Sequence, residues 1–549
     1  MIRQIGLVVA MSLISVHALA DKPRLVLQIT VDGMRADLLD RYSKNFGRGG
    51  FRYLLEEGAV FTNAHYLHAN TETIVGHTTL ATGTTPAVHG MVGNVWYHAD
   101  SGELGYNIED PDAPLLPTRD DVAAGAQVDP AQLKAGSKGR SPKGILVPGL
   151  ADTLKISSPA SGKAFGISGK DRSAVAMAGK VGTAYWFSTD TGDFQTSSYY
   201  SDAYPDWVRE WNAAGHTAAL ADSDWQLTLA AEKYVLADRD NRPYEVDLKG
   251  FGKIFPHNYG PANHPLFNTR VLVSPAGDTL LADFGKTLIE AEGLGVDRAT
   301  DYLSISFSGV DAVNHFFGPS SLENEDTVLR LDQTLAELFK YIDDKVGLEH
   351  TLIVFSADHG MAEMPEQASE QGYPAQRLYS DEIVEYAKEQ AKALLGNEKV
   401  IKDYFRPYFY LDDKELAKLK IRREEAIDIL AAALERKDGI GGAIPSARAA
   451  ALGEMAVAHN HHPTRSGDIY VYPEPHWFMF DRGAIGVMHG SPWAYDTHVP
   501  LIFVGPGVRR GSHARLVHPI DVAPTTSALL GILPPAAAEG QVLTEAIAR

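Results

Sequence analysis

Four continuous β-like runs do most to restrict the fold of this chain: RLVLQITV at residues 24–31, YLSISF at 302–307, TLIVF at 351–355 and VPLIFV at 499–504. A strand with one wet face alternates polar and apolar residues, whereas a run without clear alternation belongs to a strand covered on both faces, as in the parallel sheets of α/β proteins. Between the second and third runs, Val328, Leu331, Leu335, Leu338, Phe339 and Ile342 recur at helical spacing, which predicts a helix over 327–346. Strand, helix, strand is the crossover that parallel pairing requires. The expected fold is therefore α/β with a mainly parallel central sheet.

At 549 residues the chain exceeds the usual size of one hydrophobic core, so insertions or a second lobe are expected. The texture changes at about 95–300, rich in Gly, Pro, Asp and aromatics, and again at about 400–470, which holds a helical stretch near 415–436. Both read as insertions over the sheet edge. Residues 1–20 read as an export signal: Arg3 is followed by a mostly apolar stretch at 5–16 and the small-x-small pattern Ala18-Leu19-Ala20. Cleavage after Ala20 leaves a mature chain of 21–549 with no membrane span and a periplasmic or secreted location. The chain has no cysteine, so it can hold no disulfide, and any zinc must be held by His, Asp or Glu. A formal charge of −20 argues against a nucleic-acid partner, whose backbone calls for clustered Lys and Arg.

Four polar patches stand out, the first three of them following or ending apolar runs. Asp32 stands in ITVDGMR, Asp311 and His315 in SGVDAVNH, Asp358 and His359 in FSADHGM, and His489 in VMHGS. The ends of parallel strands are where open α/β sheets present ligands. Asp311 and His315, four apart, face one way on a helical turn and can grip one cation. Gly360 after Asp358-His359 permits a tight turn that aims both side chains at one point. Three carboxylates and three imidazoles would thus converge, a donor set that suits zinc and also admits manganese or iron. A fifth patch, TETIVGHTTLATG at 71–83, offers a threonine nucleophile, with Thr71, Thr73 and Thr78 all close enough to serve.

Taken together, these patches, the TPAVHGMVGN stretch at 85–94, GKDR at 169–172, HGSPWAYDTHVPLIF at 489–503 and HPIDVAPTTSALLG at 518–531 resemble the alkaline phosphatase superfamily. The resemblance is stronger to its branch of exported, threonine-dependent alkaline phosphatases related to the nucleotide pyrophosphatase/phosphodiesterases. It implies a three-layer core with inserted cap segments and two zinc ions. Asp311, His315 and His489 would hold one ion, and Asp32, Asp358 and His359 the other, with Thr73 touching the second. The family register selects Thr73 as nucleophile, passing through a phosphothreonine intermediate, and assigns Asn94, Lys170 and Arg172 to the phosphoryl oxygens.

Those three residues bear on the substrate. A monoester is a dianion with three free oxygens, which two cationic side chains and an amide complement; a diester carries less charge and a second bulky group. Small phosphate monoesters are the expected substrates, with a nucleotide pyrophosphatase or phosphodiesterase as the alternative and a non-catalytic phosphate-binding protein behind it. A sulfatase is excluded, because threonine cannot form the aldehyde it needs. The cluster His459, Asn460, His461, His462 reads as a loop packed near the cleft, and Trp186, Trp207, Trp211, Trp477 and Trp493 as core or lid packing.

Overall fold

The computed structural model describes residues 22–98, 102–118, 129–157, 162–483 and 485–548; the export signal expected at 1–20 lies outside them. Nine strands form the main sheet: β1 Leu25–Val31, β2 Ala59–His65, β3 Ala164–Ser168, β4 Thr183–Phe187, β5 Phe194–Gln195, β6 Asp301–Phe307, β7 Thr351–Ser356, β8 His498–Val504 and β9 Gly511–His513. Their spatial order is β9-β2-β8-β7-β1-β6-β3-β4-β5. The central β7-β1-β6-β3-β4 block is parallel throughout. Strand β8 pairs antiparallel with both β7 and β2, and β5 runs antiparallel to β4.

The three layers follow from strand periodicity. Leu25, Leu27, Ile29 and Val31 of β1 share one core with Phe284 and Leu288 of helix α3 (Pro275–Glu292) and with Leu331, Leu335 and Leu338 of helix α5 (Leu322–Lys345). Val26 faces the other way, into a core holding Leu80 of helix α1 (Thr73–Thr82) and Val522 and Leu530 of the closing helix α6 (Val522–Leu530). Helices α2 (Asp171–Ala178) and α4 (Gly309–Phe317) are short and directly follow Lys170 and Ser308 at the ends of β3 and β6.

The insertions differ from the sequence reading in one respect. Within 95–300, strands β3 to β5 and helices α2 and α3 belong to the main layers. The Gly, Pro and aromatic texture that suggested one continuous insertion comes from the loops around them. The later segment builds a separate antiparallel sheet, Ile401–Phe405, Tyr408–Leu411, Ile469–Pro473 and Ile440–Pro445 in spatial order, backed by helices Ser380–Leu395 and Arg423–Leu434. The single helical stretch expected near 415–436 is two helices, Asp413–Leu419 and Arg423–Leu434, separated by Lys420 at a left-handed φ of 57°.

Candidate active site

The carboxyl ends of β1, β6 and β7 each deliver an acid to one point. Asp32 follows β1 and hands its backbone N–H to Phe307 O of the neighbouring strand at 2.9 Å. The chain then turns at Gly33, whose φ of 69° suits glycine; a side chain there would begin 2.9 Å from Asp311 Cβ. Asp311 lies on the first turn of α4, with His315 one turn on. Asp358 follows β7, and one of its oxygens accepts from Gly33 N at 3.1 Å and His359 N at 3.0 Å. His489 arrives from the loop that precedes the reversed strand β8, so it meets the same end of the sheet from the opposite chain direction.

Each of these histidines is aimed the same way. Nδ1 of His315, His359 and His489 bonds the carbonyls of Val487, Gly360 and Thr71 at 2.9, 2.8 and 2.8 Å. A carbonyl accepts, so Nδ1 carries the proton and Nε2 is left as a bare donor atom for a metal, the arrangement that outer partners impose on metal-binding imidazoles. Nε2 of His359 lies 3.3 Å from Asp32 Oδ1 and 3.4 Å from Asp358 Oδ2. Nε2 of His315 and of His489 lie 3.4 and 3.6 Å from the same oxygen, Asp311 Oδ1.

These donors fit cations. Both oxygens of Asp32, Asp311 Oδ1, Asp358 Oδ2 and His359 Nε2 are buried without a hydrogen-bond partner, and the three carboxylates are at most 1% exposed. Buried acids are costly unless cations compensate them, and the single Lys170 ammonium, beside Asp32 and Asp311, is one positive charge among three carboxylates. Two compact triads can hold one: Asp32/Asp358/His359, and Asp311/His359/His489, each with its donor atoms within 4.8 Å of one another. His359 is common to both triads, and its ring stacks on that of His489 at 3.6 Å. His315, expected beside Asp311 and His489, belongs to neither triad; it is more exposed, lines the cavity and brings Nε2 within 3.4 Å of Asp311 Oδ1.

The charge balance shows in the acids. Burial pushes the Asp311 carboxyl up, but the His315 imidazole and Lys170 ammonium beside it hold it well below the usual range. Asp32 is likewise lowered, burial being outweighed by Lys170 and His359 together. Asp358 is raised by burial and by the charge of Asp32.

Thr73 opens α1 and is buried. Arg172 Nη2 stands 3.5 Å from Thr73 Oγ1, its other nitrogen held by Asp129 at 2.6 Å. Asn94 Oδ1 accepts from Ile74 N at 3.3 Å. Lys170 Nζ sits between the triads, 2.8 Å from Asp32 Oδ2 and 2.5 Å from Asp311 Oδ2. The sequence placed these ten residues in seven separate patches, and the structure brings them all to one place. It adds members that the sequence reading passed over. His77, one turn along α1, shares Nδ1 between Thr73 O at 2.8 Å and Asp358 Oδ2 at 3.1 Å and meets Ser306 Oγ through Nε2 at 2.7 Å. Glu72, Asp129 and Arg406 also converge; only His77 and Glu72, inside the threonine patch, carried a signal. A cavity of about 540 Å³ opens over Asn94, Lys170, Arg172 and Asp311, walled by Trp186, Phe405, Phe480 and Met488. The 459–462 cluster, expected as a loop, begins inside a helix, Met455–Asn460, and only His461 and His462 lie beyond it; Asn460 is buried and donates to Val92 O and Tyr408 Oη.

Residues 26–492 match the family model for type I phosphodiesterase / nucleotide pyrophosphatase. The chain belongs to that family. It is 32% identical to alkaline phosphatase PafA of Elizabethkingia meningoseptica over 96% of this chain and 95% of the relative. It is 31% identical to a Myroides odoratus protein named calcium-transporting ATPase over 96% and 95%. Alkaline phosphatase PhoV of Synechococcus elongatus is 30% identical over 95% and 93%. The solved structure of PafA superposes on 96% of this chain and 99% of its own with a TM-score of 0.87. A further solved form of PafA carries replacements of a Thr, an Asn, a Lys and an Arg. In this type I phosphodiesterase family chain, Thr73, Asn94, Lys170 and Arg172 stand in the same order. Their Thr-to-Asn and Lys-to-Arg separations are also the same.

Proposed function

We propose that this chain is an exported phosphate monoester hydrolase, with Thr73 as nucleophile and zinc ions held by Asp32, Asp358, His359, Asp311, His315 and His489. The observation that carries the reading is the arrival of two cationic side chains at the nucleophile's site: the Arg172 guanidinium at Thr73 Oγ1 and the Lys170 ammonium between Asp32 and Asp311. The likeness to PafA and PhoV over nearly the whole chain supports it. Zinc, when bound, supplies Lewis-acid stabilisation to the attacking and leaving oxygens of an in-line displacement.

The chain's own residues do the rest. Thr73 Oγ1 forms a bond to phosphorus as the bond to the leaving oxygen breaks. The hydroxyl proton is released to solvent and the leaving oxygen takes one from it, and water then cleaves the phosphothreonine. Arg172 grips two phosphoryl oxygens in its planar fork, and the Asn94 amide nitrogen, whose carbonyl is already used by Ile74 N–H, turns to a third. A terminal phosphoryl group such as that of ATP presents the same three oxygens, which accommodates the Myroides relative's name.

The family model's description favours a second reading, a diesterase with the same metals. The ratio of kcat/KM on an aryl phosphate monoester to that on the matching diester, measured with zinc in wild type and in Lys170→Ala/Arg172→Ala, separates the two. A strong monoester preference that collapses in the variant is expected. A diester preference insensitive to the pair overturns the reading and leaves the metal assignment standing.

A further inference from the structure

We propose that Arg406, whose contact with the proposed metal donors is to the backbone of His489 alone, is a positioning residue through which the inserted sheet sets the register of Thr73, Asn94 and His489. The inference rests on the phosphatase reading above. Arg406 occupies the turn between strands Ile401–Phe405 and Tyr408–Leu411 and is 4% exposed. Its Nη2 donates to His489 O at 2.6 Å and reaches Glu72 Oε1 at 3.2 Å, while Nη1 donates to Gly490 O at 3.4 Å. The loop passes so close that a side chain at Gly490, where φ is 98°, would begin 2.4 Å from Nη2.

Glu72 carries the link onward. Its second oxygen accepts from Asn94 N at 2.5 Å, and Asn94 Oδ1 in turn accepts from Ile74 N, the amide next to the nucleophile. Glu72 is also the residue before α1. One guanidinium therefore fixes the backbone of a metal-binding histidine and, through one carboxylate, the amide that faces the phosphoryl group. Two carbonyls and a carboxylate around one point call for a flat fork of N–H groups, which arginine supplies and lysine does not.

A buried ion pair can also be mere packing, and removing one partner destabilises by stranding the other. The test separates these roles with Arg406→Lys, which keeps the charge, and Glu72→Gln/Arg406→Met, which leaves no stranded charge. Melting temperature, zinc retained after dialysis against a fixed chelator, inhibition by inorganic phosphate, and kcat and KM on an aryl phosphate are read for each. In the double variant the melting temperature returns close to wild type while zinc retention and phosphate affinity stay about ten- to a hundred-fold weakened, the usual size of outer-partner losses. Arg406→Lys shows the same two losses. Wild-type zinc and phosphate binding in Arg406→Lys, or in a double variant of restored stability, overturns the proposal. Zinc retention is read without substrate, so a wild type that prefers diesters sinks the phosphatase reading and leaves Arg406 to be judged on zinc alone.

Discussion

A threonine hydroxyl is a weak nucleophile, and what surrounds Thr73 is chiefly charge and hydrogen-bond direction: Arg172 at its oxygen, His77 on its carbonyl and Asn94 on the next amide. Its methyl group takes no part in bond making. Thr73→Ser therefore retains a labelled phospho-enzyme when quenched during turnover, and Thr73→Ala yields none, as checked by acid quench with radiolabelled substrate. A phospho-enzyme in the alanine variant would move the nucleophile to Thr71 or Thr78. Most of the proposed metal donors were legible because they follow a recognisable run and carry an ionisable side chain; His489, ahead of its strand, was read from the motif around it. Arg406 was not, because its turn lies in an insertion with no pattern of its own, and only the fold brings it to His489.

Among the elements, α5 shows where local chemistry runs against folding. Glu323 in its first turn is fully buried, and neither of its oxygens has a hydrogen-bond partner. His257 Nε2 lies 3.3 Å away, bare because Nδ1 faces Phe251 O. Burial raises the Glu323 carboxyl well above its ordinary value, and burial together with Glu323 raises Glu245 to about 8. A raised carboxyl binds a proton more tightly folded than unfolded, so its contribution is full below the unfolded pKa and is lost as pH climbs toward the folded one. Glu323→Gln, whose amide can donate to His257, is expected to melt higher than wild type above neutral pH by about 1–3 kcal/mol of stability, and to match it near pH 4. Equal melting curves at pH 8 would show that Glu323 is compensated. The period of α5 was plain in the sequence. Its first turn, with Glu323, Glu325 and Asp326, lies ahead of the helix expected over 327–346 and is buried. The pattern likewise missed the membership of β3 to β5 in the main sheet.

For the molecule as a whole, three carboxylates are buried together at the centre of a chain whose formal charge is −20, and the one lysine among them reaches only Asp32 and Asp311. A ligand that binds only the folded state stabilises it by mass action, about 2.7 kcal/mol at a hundredfold excess over Kd. Zinc added to chelator-treated protein therefore raises its melting temperature, and Asp358→Asn reduces the rise. An unchanged melting temperature in the wild type would mean that the triads do not take the metal. The layered α/β plan was legible from four runs because burial on both faces leaves a mark on composition; the reversal of β8 was not, since a buried antiparallel strand has the same texture.

That reversal governs when the enzyme can exist. Strand β8 lies between β2 and β7, not at an edge, and the loop before it carries His489. A chain cut short before residue 489 would lack both the strand that joins β2 to β7 and the last of the proposed donors, so sheet closure and completion of the proposed metal site depend on one late segment.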